Sequence, residues 1–332
     1  GADSGRNAYT NERQISIGKG TGNNATGVDN IALGLRSGAF VSGANNVAIG
    51  REAGMGTDAQ KLSVTSTVAI GEAAKGSFSN TVAIGKTALV GQRANASGSE
   101  AVALGIDSNA SGRFAVAIGN MAKVTNSKLN GIAIGSNAVA SEDYAMAMGL
   151  DTQATGNSSI AFGNTTKALA AEAIAIGHSA NAAEGNTVAL GVSATSAKAG
   201  AVTLGAYTKA DAVKALALGY ESHAVNENDV ALGGGSLTEA HHSGDYTLNG
   251  NYTAAGTWSY GTVSVGKVDA TTPANNFTRQ IQNVSAGVIS ATSTDAINGS
   301  QLYATNSYLL NLGKNVKDAL GGETAIDNAG NL

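Results

Sequence analysis

The segment Ile132-Ala133-Ile134-Gly135 decides the fold, because its pattern of apolar, small, apolar and Gly recurs fifteen times along the chain. From Gly135 to Gly233 the units recur at every fourteenth position, and the earlier steps are fourteen, sixteen, twenty or twenty-one positions long. A fixed period of this kind is the signature of stacked repeats. The units end at Gly18, Gly34, Gly50, Gly71, Gly85, Gly105, Gly119, Gly135, Gly149, Gly163, Gly177, Gly191, Gly205, Gly219 and Gly233.

The alternation inside each unit predicts a short β-strand, since side chains two residues apart share one face. Fourteen residues are too few for a strand-helix-strand crossover with its strands. They suit one coil of two short strands and two turns, so the sequence predicts an all-β solenoid whose successive coils pair in parallel. We expect the two apolar side chains of each unit to face inward. The middle residue, usually Ala, would then face outward, and the Ala-bearing strands would form the interface of an oligomer.

A second strand follows each Gly. Small residues lie three and five positions after it, as at Ala138 and Ala140, and these should face inward. The positions around them vary and should point to solvent. Such an exposed face, repeated over fifteen coils for roughly 70 Å, is the candidate binding surface. The candidate ligand-binding residues are Gln153, Lys167, Asn181, Tyr207, Lys209 and His223.

The composition excludes several classes of protein. The 45 glycines come with a single proline and no three-residue period, which excludes collagen. The net charge of -4 and the absence of a basic cluster argue against nucleic-acid binding. The chain has no cysteine, so disulfides and thiol chemistry are excluded. We expect no catalytic residues, no metal and no cofactor; adjacent His241 and His242 would point to opposite faces of a strand.

At this point the repeat, over residues 11 to 235, resembles the head of the YadA-like trimeric autotransporter adhesins. The resemblance implies a left-handed parallel β-roll with coils of some fourteen residues, three chains side by side. The sequence from Arg279 to Gly287 and from Thr294 to Leu302 closely resembles the neck of that family, where the chains cross over and lock the trimer. Leu302, Leu309 and Val316 then follow at heptad spacing, which predicts a short trimeric coiled coil.

The expected domains are a β-roll head over 1–235, an aromatic-rich insert with a last roll strand over 236–266, and a neck over 267–300. The coiled-coil stalk begins over 301–320, and a further stalk element begins over 321–332. The insert is expected to be a β-hairpin or a loop lying across a neighbouring chain. The long steps holding Glu52 to Thr67 and Val90 to Glu100 predict loops that leave the roll.

The resemblance implies an adhesin of the bacterial cell surface, a homotrimer that attaches to host extracellular matrix or cell surfaces by many weak contacts. No run of 18 apolar residues could span a membrane as a helix. We expect the chain to be a fragment that lacks the signal and the outer-membrane anchor of the family. A non-adhesive spacer of the surface fibre remains the alternative. A β-helical enzyme would cluster acidic or basic residues, and an ice-binding solenoid would repeat outward Thr; neither pattern is present.

Overall fold

The computed structural model describes residues 1–7, 13–58, 60–86, 94–125, 129–241, 247–248, 252–256, 258–269 and 273–321. It divides into two units, which are described separately. The first unit comprises Gly1–Ala240 and Gly261–Phe277, and the second comprises His241–Tyr260 and Thr278–Leu332.

The first unit is a parallel β-solenoid, as the repeat predicts. Among the described residues, sixteen strands pair in parallel, each with its equivalent in the next coil, to form one long sheet. The register pairs each residue with the equivalent residue of the next coil, so Ala133 pairs with Ala147. The strands are Ile15–Ile17, Ile31–Leu33, Val47–Ile49, Val68–Ile70, Val82–Ile84, Val102–Leu104, Val116–Ile118, Ile132–Ile134, Met146–Met148, Ile160–Phe162, Ile174–Ile176, Val188–Leu190, Val202–Leu204, Leu216–Leu218, Val230–Leu232 and Val263–Ser264.

The opposite wall of each coil is a two-residue strand, and in the described residues eleven of these form a second parallel sheet. Nearer the N-terminus, Val41–Ser42 pairs in parallel with Leu62–Ser63. The eleven strands are Lys75–Gly76, Asn95–Ala96, Asn109–Ala110, Lys123–Val124, Val139–Ala140, Gln153–Ala154, Lys167–Ala168, Asn181–Ala182, Thr195–Ser196, Lys209–Ala210 and His223–Ala224.

The interior of the roll is lined mainly by small side chains. In the coil that starts at Gly135, the four inward residues are Ala138, Ala140, Ala145 and Ala147, and all are fully buried. This confirms the inward positions predicted for the second strand. The prediction for the first strand is wrong, because the middle Ala faces inward and the flanking apolar residues face outward. The two walls lie too close together for Ile or Leu to fit between them. Val124 is accommodated beside Gly131, where a Cβ would lie 2.6 Å from its Cγ1.

Sharp corners join the two walls. Gly135 has φ of 127° and a Cβ there would overlap the carbonyl group of Gly149 in the next coil, so this corner requires glycine. Two further corner residues in the same coil, Asn137 and Tyr144, have φ of 56° and 58°. Left-handed backbone is unfavourable for a residue such as Tyr. It is stabilised here by coil-to-coil hydrogen bonds, as when the Tyr144 N–H donates to the Leu129 carbonyl at 2.9 Å.

The long steps in the repeat stay closer to the roll than expected. Ala53 and Val64 are buried, and Leu62–Ser63 forms a strand, so most of the segment from Glu52 to Thr67 belongs to the coil. In the second long step Asn95–Ala96 is likewise a strand of the second sheet. Residues 87–93 lie outside the described residues.

A buried carboxylate ties the last strand of the roll to its neighbour. Asp229 is fully buried, and its Oδ1 accepts hydrogen bonds from the backbone N–H and the hydroxyl of Thr262 at 2.8 and 3.0 Å. Its Oδ2 accepts from the backbone and side-chain N–H groups of Asn226 at 3.0 and 2.9 Å. Burial raises the pKa of Asp229, but hydrogen bonds from Thr238, Thr262 and Asn226 outweigh it and the pKa is lowered.

The second unit contains a short antiparallel hairpin, Thr247–Leu248 with Tyr252–Thr253, and one α-helix among its described residues, Gly299–Leu320. Asn298 caps the helix, and Gln301 completes a capping box with it. The Gln301 side chain also accepts from the Gly287 N–H at 3.0 Å and donates to the Gly287 carbonyl at 2.6 Å. The segment resembling a neck is therefore tied to the first turn of the helix.

Filling the interior should destabilise the roll. Ala168→Leu places three extra carbons between the walls, and overpacking of this kind costs about 1–3 kcal/mol. Its neighbour in the same strand, Lys167, points outward and is exposed, so Lys167→Leu should change stability by less than about 0.5 kcal/mol. Thermal unfolding followed by circular dichroism compares the two variants, and equal midpoints would contradict the interior described above.

Asp229→Ala should lower the stability of the roll at pH 7 by about 1–3 kcal/mol, since four partly buried hydrogen bonds lose their acceptor. Because the folded pKa is lowered, the carboxylate stabilises the fold above the usual Asp pKa of about 3.9. That contribution disappears as the pH falls through the folded pKa. Urea unfolding at pH 7 and at pH 3 should therefore show the difference between wild type and variant shrinking at pH 3; a constant difference would refute the ionised role.

Candidate binding surfaces

The outward positions of the second sheet form one continuous column, here called the outer column. The register places the first residue of each strand beside the first residue of the next, for example Gln153 beside Lys167 and Lys167 beside Asn181. The column consists of Lys75, Asn95, Asn109, Lys123, Val139, Gln153, Lys167, Asn181, Thr195, Lys209 and His223. Ten steps of about 4.8 Å make it roughly 48 Å long.

The structure brings five of the six predicted residues into this column. Lys167 and Lys209 are exposed, whereas Gln153, Asn181 and His223 are half-buried. Tyr207 lies outside the column, at a corner with φ of 59°. Its ring meets that of Tyr220 edge to face, with centroids 5.8 Å apart. Whether these six side chains bind a ligand stays a prediction.

Hydrogen bonds along the column run from coil to coil. The Asn95 Nδ2 donates to Asn109 Oδ1 at 3.3 Å, a contact between neighbouring side chains of like type. His223 Nε2 lies 2.5 Å from Oδ2 of Asp211, which comes from the previous coil. The Oδ1 atom of Asn181 is buried and has no hydrogen-bond partner among the described residues.

Ion pairs on the corners also link one coil to the next. Glu184 Oε1 accepts from Lys198 Nζ at 2.9 Å, and its Oε2 accepts from the Ala199 N–H at 3.0 Å. The hydrogen bond from Lys198 and that from Ala199 lower the pKa of Glu184. A hydrogen bond to Glu221 raises the pKa of the Tyr220 hydroxyl. Exposed pairs such as these add little stability. Contacts within the roll account for both pKa shifts.

A second surface lies on the opposite wall. The outward first and third residues of each long-sheet strand form the apolar stripe, a row of Val, Ile, Leu, Met and Phe running along the roll. These side chains are half-buried or exposed in the single chain; Phe162, for example, is 51% exposed. Sequence reasoning recognised the strands but assigned the stripe to the interior. Contiguous apolar surfaces on proteins are typical of interaction sites.

A groove of about 710 Å³ lies across the first coils of the roll. It carries two cations, Lys19 and Arg36, and two anions, Asp3 and Asp58, beside the apolar Phe40. Its charges balance, so it shows no preference for one sign of ligand. A void of about 20 Å³ inside the same coils is lined largely by small residues and can hold one water at most.

The described part of the chain contains no group of candidate metal ligands and no helix suited to cross a membrane. Within it, no three His, Cys, Asp or Glu side chains come together as metal ligands would. Of the adjacent His241 and His242 considered from the sequence, His241 is exposed, and His242 lies outside the described residues. No helix in the described part is both long and apolar enough to cross a membrane.

Comparison with known families assigns two regions of the chain. Residues 96–122, 127–152, 154–180 and 210–236 match the YadA head domain repeat. Residues 280–325 match the coiled stalk of trimeric autotransporter adhesins. The head match falls on the roll, and the stalk match covers the capped helix with the segment before it.

Two curated relatives share parts of these regions. The autotransporter adhesin EhaG of Escherichia coli O157:H7 is 50% identical over 52 residues, 16% of this chain and 3% of that protein. The autotransporter adhesin BtaE of Brucella suis biovar 1 (strain 1330) is 48% identical over 73 residues, 22% of this chain and 9% of that protein. The matches thus span less than a tenth of either relative.

A solved structure similar to this chain is the collagen-binding domain of the Yersinia adhesin YadA. It is 18% identical, with a TM-score of 0.27, and the match covers 74% of this chain and 84% of that domain.

Proposed function

The chain carries the head repeats and the stalk segment of the YadA-like trimeric autotransporter adhesins, and from that premise we propose that it is the attachment head of a homotrimer on a bacterial surface. The observation that carries the proposal is the pairing of two walls with different chemistry on one roll. One wall presents the apolar stripe, and the other presents the polar outer column.

The apolar stripe is suited to contact with other copies of the chain. Burying apolar surface stabilises association by about 25 cal/mol per Å², and the stripe offers two large side chains on nearly every coil. Because all coils share one register, two identical rolls can meet along their whole length. We propose that three chains pack with their stripes toward one another.

The helix of the second unit has the same requirement. Leu302, Leu309 and Leu312 lie at heptad positions and are 58%, 56% and 47% exposed in the single chain. A helix of 22 residues with its apolar seam in water is only marginally stable alone. Packing against two further copies would bury the seam as a coiled coil.

In such a trimer the outer column stays accessible, because it lies on the wall away from the stripe. Three columns per trimer and many trimers per cell convert weak contacts into firm attachment. We propose that the ligand is a host extracellular-matrix or cell-surface molecule. No step of this function calls for catalysis.

Charging the stripe should weaken the trimer. Light scattering should give the wild-type chain three times its monomer mass of 32.7 kDa. Ile134→Glu with Ile176→Glu places two charges on the stripe of each chain, and we expect a lower thermal midpoint together with partial dissociation. Gln153→Glu with Asn181→Glu adds the same charge on the outer column and should leave the mass unchanged. A monomeric wild-type chain would contradict the proposal.

Replacing the predicted binding residues should reduce attachment without affecting assembly. We would coat beads with the wild-type trimer or with a variant in which Gln153, Lys167, Asn181, Tyr207, Lys209 and His223 are all Ser. Retention on an extracellular-matrix layer laid down by cultured cells should fall several-fold for the variant at equal mass. Wild-type beads that do not bind matrix or cells would support a spacer instead.

A further inference from the structure

The outer column carries a positive charge at a regular interval. Its lysines are Lys75, Lys123, Lys167 and Lys209, and between each pair lie two uncharged residues of the column. The linear sequence hides this period, because these lysines lie forty-eight, forty-four and forty-two positions apart. Only the pairing of strands shows that each gap is three coils.

The distance between the lysines decides how they act. Three coils of about 4.8 Å give a spacing of about 14 Å, which exceeds the screening length of about 8 Å at physiological salt. The charges therefore do not merge into one basic patch, and each of the three exposed lysines can make a separate contact. Lys123, Lys167 and Lys209 are exposed, and none of them forms an ion pair with another described residue.

Two of the acidic groups near the column are engaged by neighbouring coils. Asp211 lies two residues beyond Lys209, and its carboxylate contacts His223. Asp151, at the corner before Gln153, accepts a hydrogen bond from Asn137 Nδ2 at 2.9 Å. The column itself contains no acidic residue over its eleven described positions.

The positions between the lysines supply polar groups of one kind. Five of the six residues between the lysines carry amides or hydroxyls, which can both donate and accept hydrogen bonds. These are Asn95, Asn109, Gln153, Asn181 and Thr195. Such groups match sugar hydroxyls, and a pyranose in an extended chain advances by about the height of one coil.

From this arrangement we infer that the outer column binds a linear acidic polysaccharide lengthwise. Each coil faces one sugar, and every third sugar places a carboxylate or a sulfate beside a lysine. Nucleic acid fits less well, because duplex DNA carries charges at intervals of about 1.7 Å, and single strands require aromatic stacking. The column offers sparse charge and no Phe, Tyr or Trp side chain.

The inference deepens the proposed attachment function and rests on it for the accessibility of the column in the trimer. It can fail independently, since attachment through a protein ligand would leave the proposed function intact. For that reason the coated beads are tested in parallel on matrix treated with chondroitinase. If the wild-type trimer does not bind the polysaccharide but its beads still attach to the treated matrix, only the inference is overturned.

The test measures binding of the whole chain, as a trimer, to immobilised chondroitin sulfate. Every sugar of this polysaccharide carries either a carboxylate or a sulfate. Replacing Lys75, Lys123, Lys167 and Lys209 with Gln should weaken binding roughly 10- to 100-fold, since an exposed charge contact changes affinity by up to about fivefold. The matched control replaces Lys61, Lys86, Lys198 and Lys214, which lie off the column, and should change affinity less than about twofold.

A third variant tests the spacing at constant charge. Lys167→Asn with Asn181→Lys, combined with Lys209→Thr and Thr195→Lys, keeps the composition of the column but removes its three-coil period. We expect several-fold weaker binding. Three outcomes would overturn the inference. These are an equal loss of affinity in the column and control variants, a spacing variant that binds as tightly as wild type, and a wild type that does not bind at all. Binding of duplex DNA as tight as that of chondroitin sulfate overturns the choice of ligand class.

Discussion

The narrow interior of the coil is the constraint on which the other features depend. Two strands joined by tight corners leave little room between them, so the inside is lined mainly by Ala, with occasional Ser, Thr and Val. Alanine buries little apolar area per residue. A single coil therefore gains little stability from its core, and most of its order comes from hydrogen bonds and contacts with the coils on either side.

Because the interior is full, the large apolar side chains of each strand have to face outward. That arrangement leaves one wall of a single chain apolar along its length. In most soluble domains such side chains form the core, and association is a separate property of the surface. Here the wall that would hold three chains together takes over part of the role of a core, so folding and assembly are expected to be coupled.

The sequence predicted the solenoid, the two strands per coil and the inward residues of the second strand, because each is encoded by spacing alone. It did not predict which face of the first strand points inward. An alternating pattern such as Ile132-Ala133-Ile134 is symmetric with respect to its two faces, and the width of the coil decides between them. The sequence also did not predict the strand Leu62–Ser63, which pairs with Val41–Ser42. This strand lies in one of the long steps, where the regular spacing that reveals the other strands is lost.

The lysine period shows what stacking adds to sequence. The coils between these lysines differ in length, most having fourteen residues, one sixteen and one twenty, so the lysines are irregularly spaced in the chain. The strands nevertheless rise by a constant step, because hydrogen bonds between neighbouring strands fix the height of a coil whatever the length of its corners. A solenoid can thus absorb insertions at its corners while keeping a regular surface on its walls. An extended ligand that repeats along its length meets the same chemistry at each step, and this is the kind of ligand that such a wall selects.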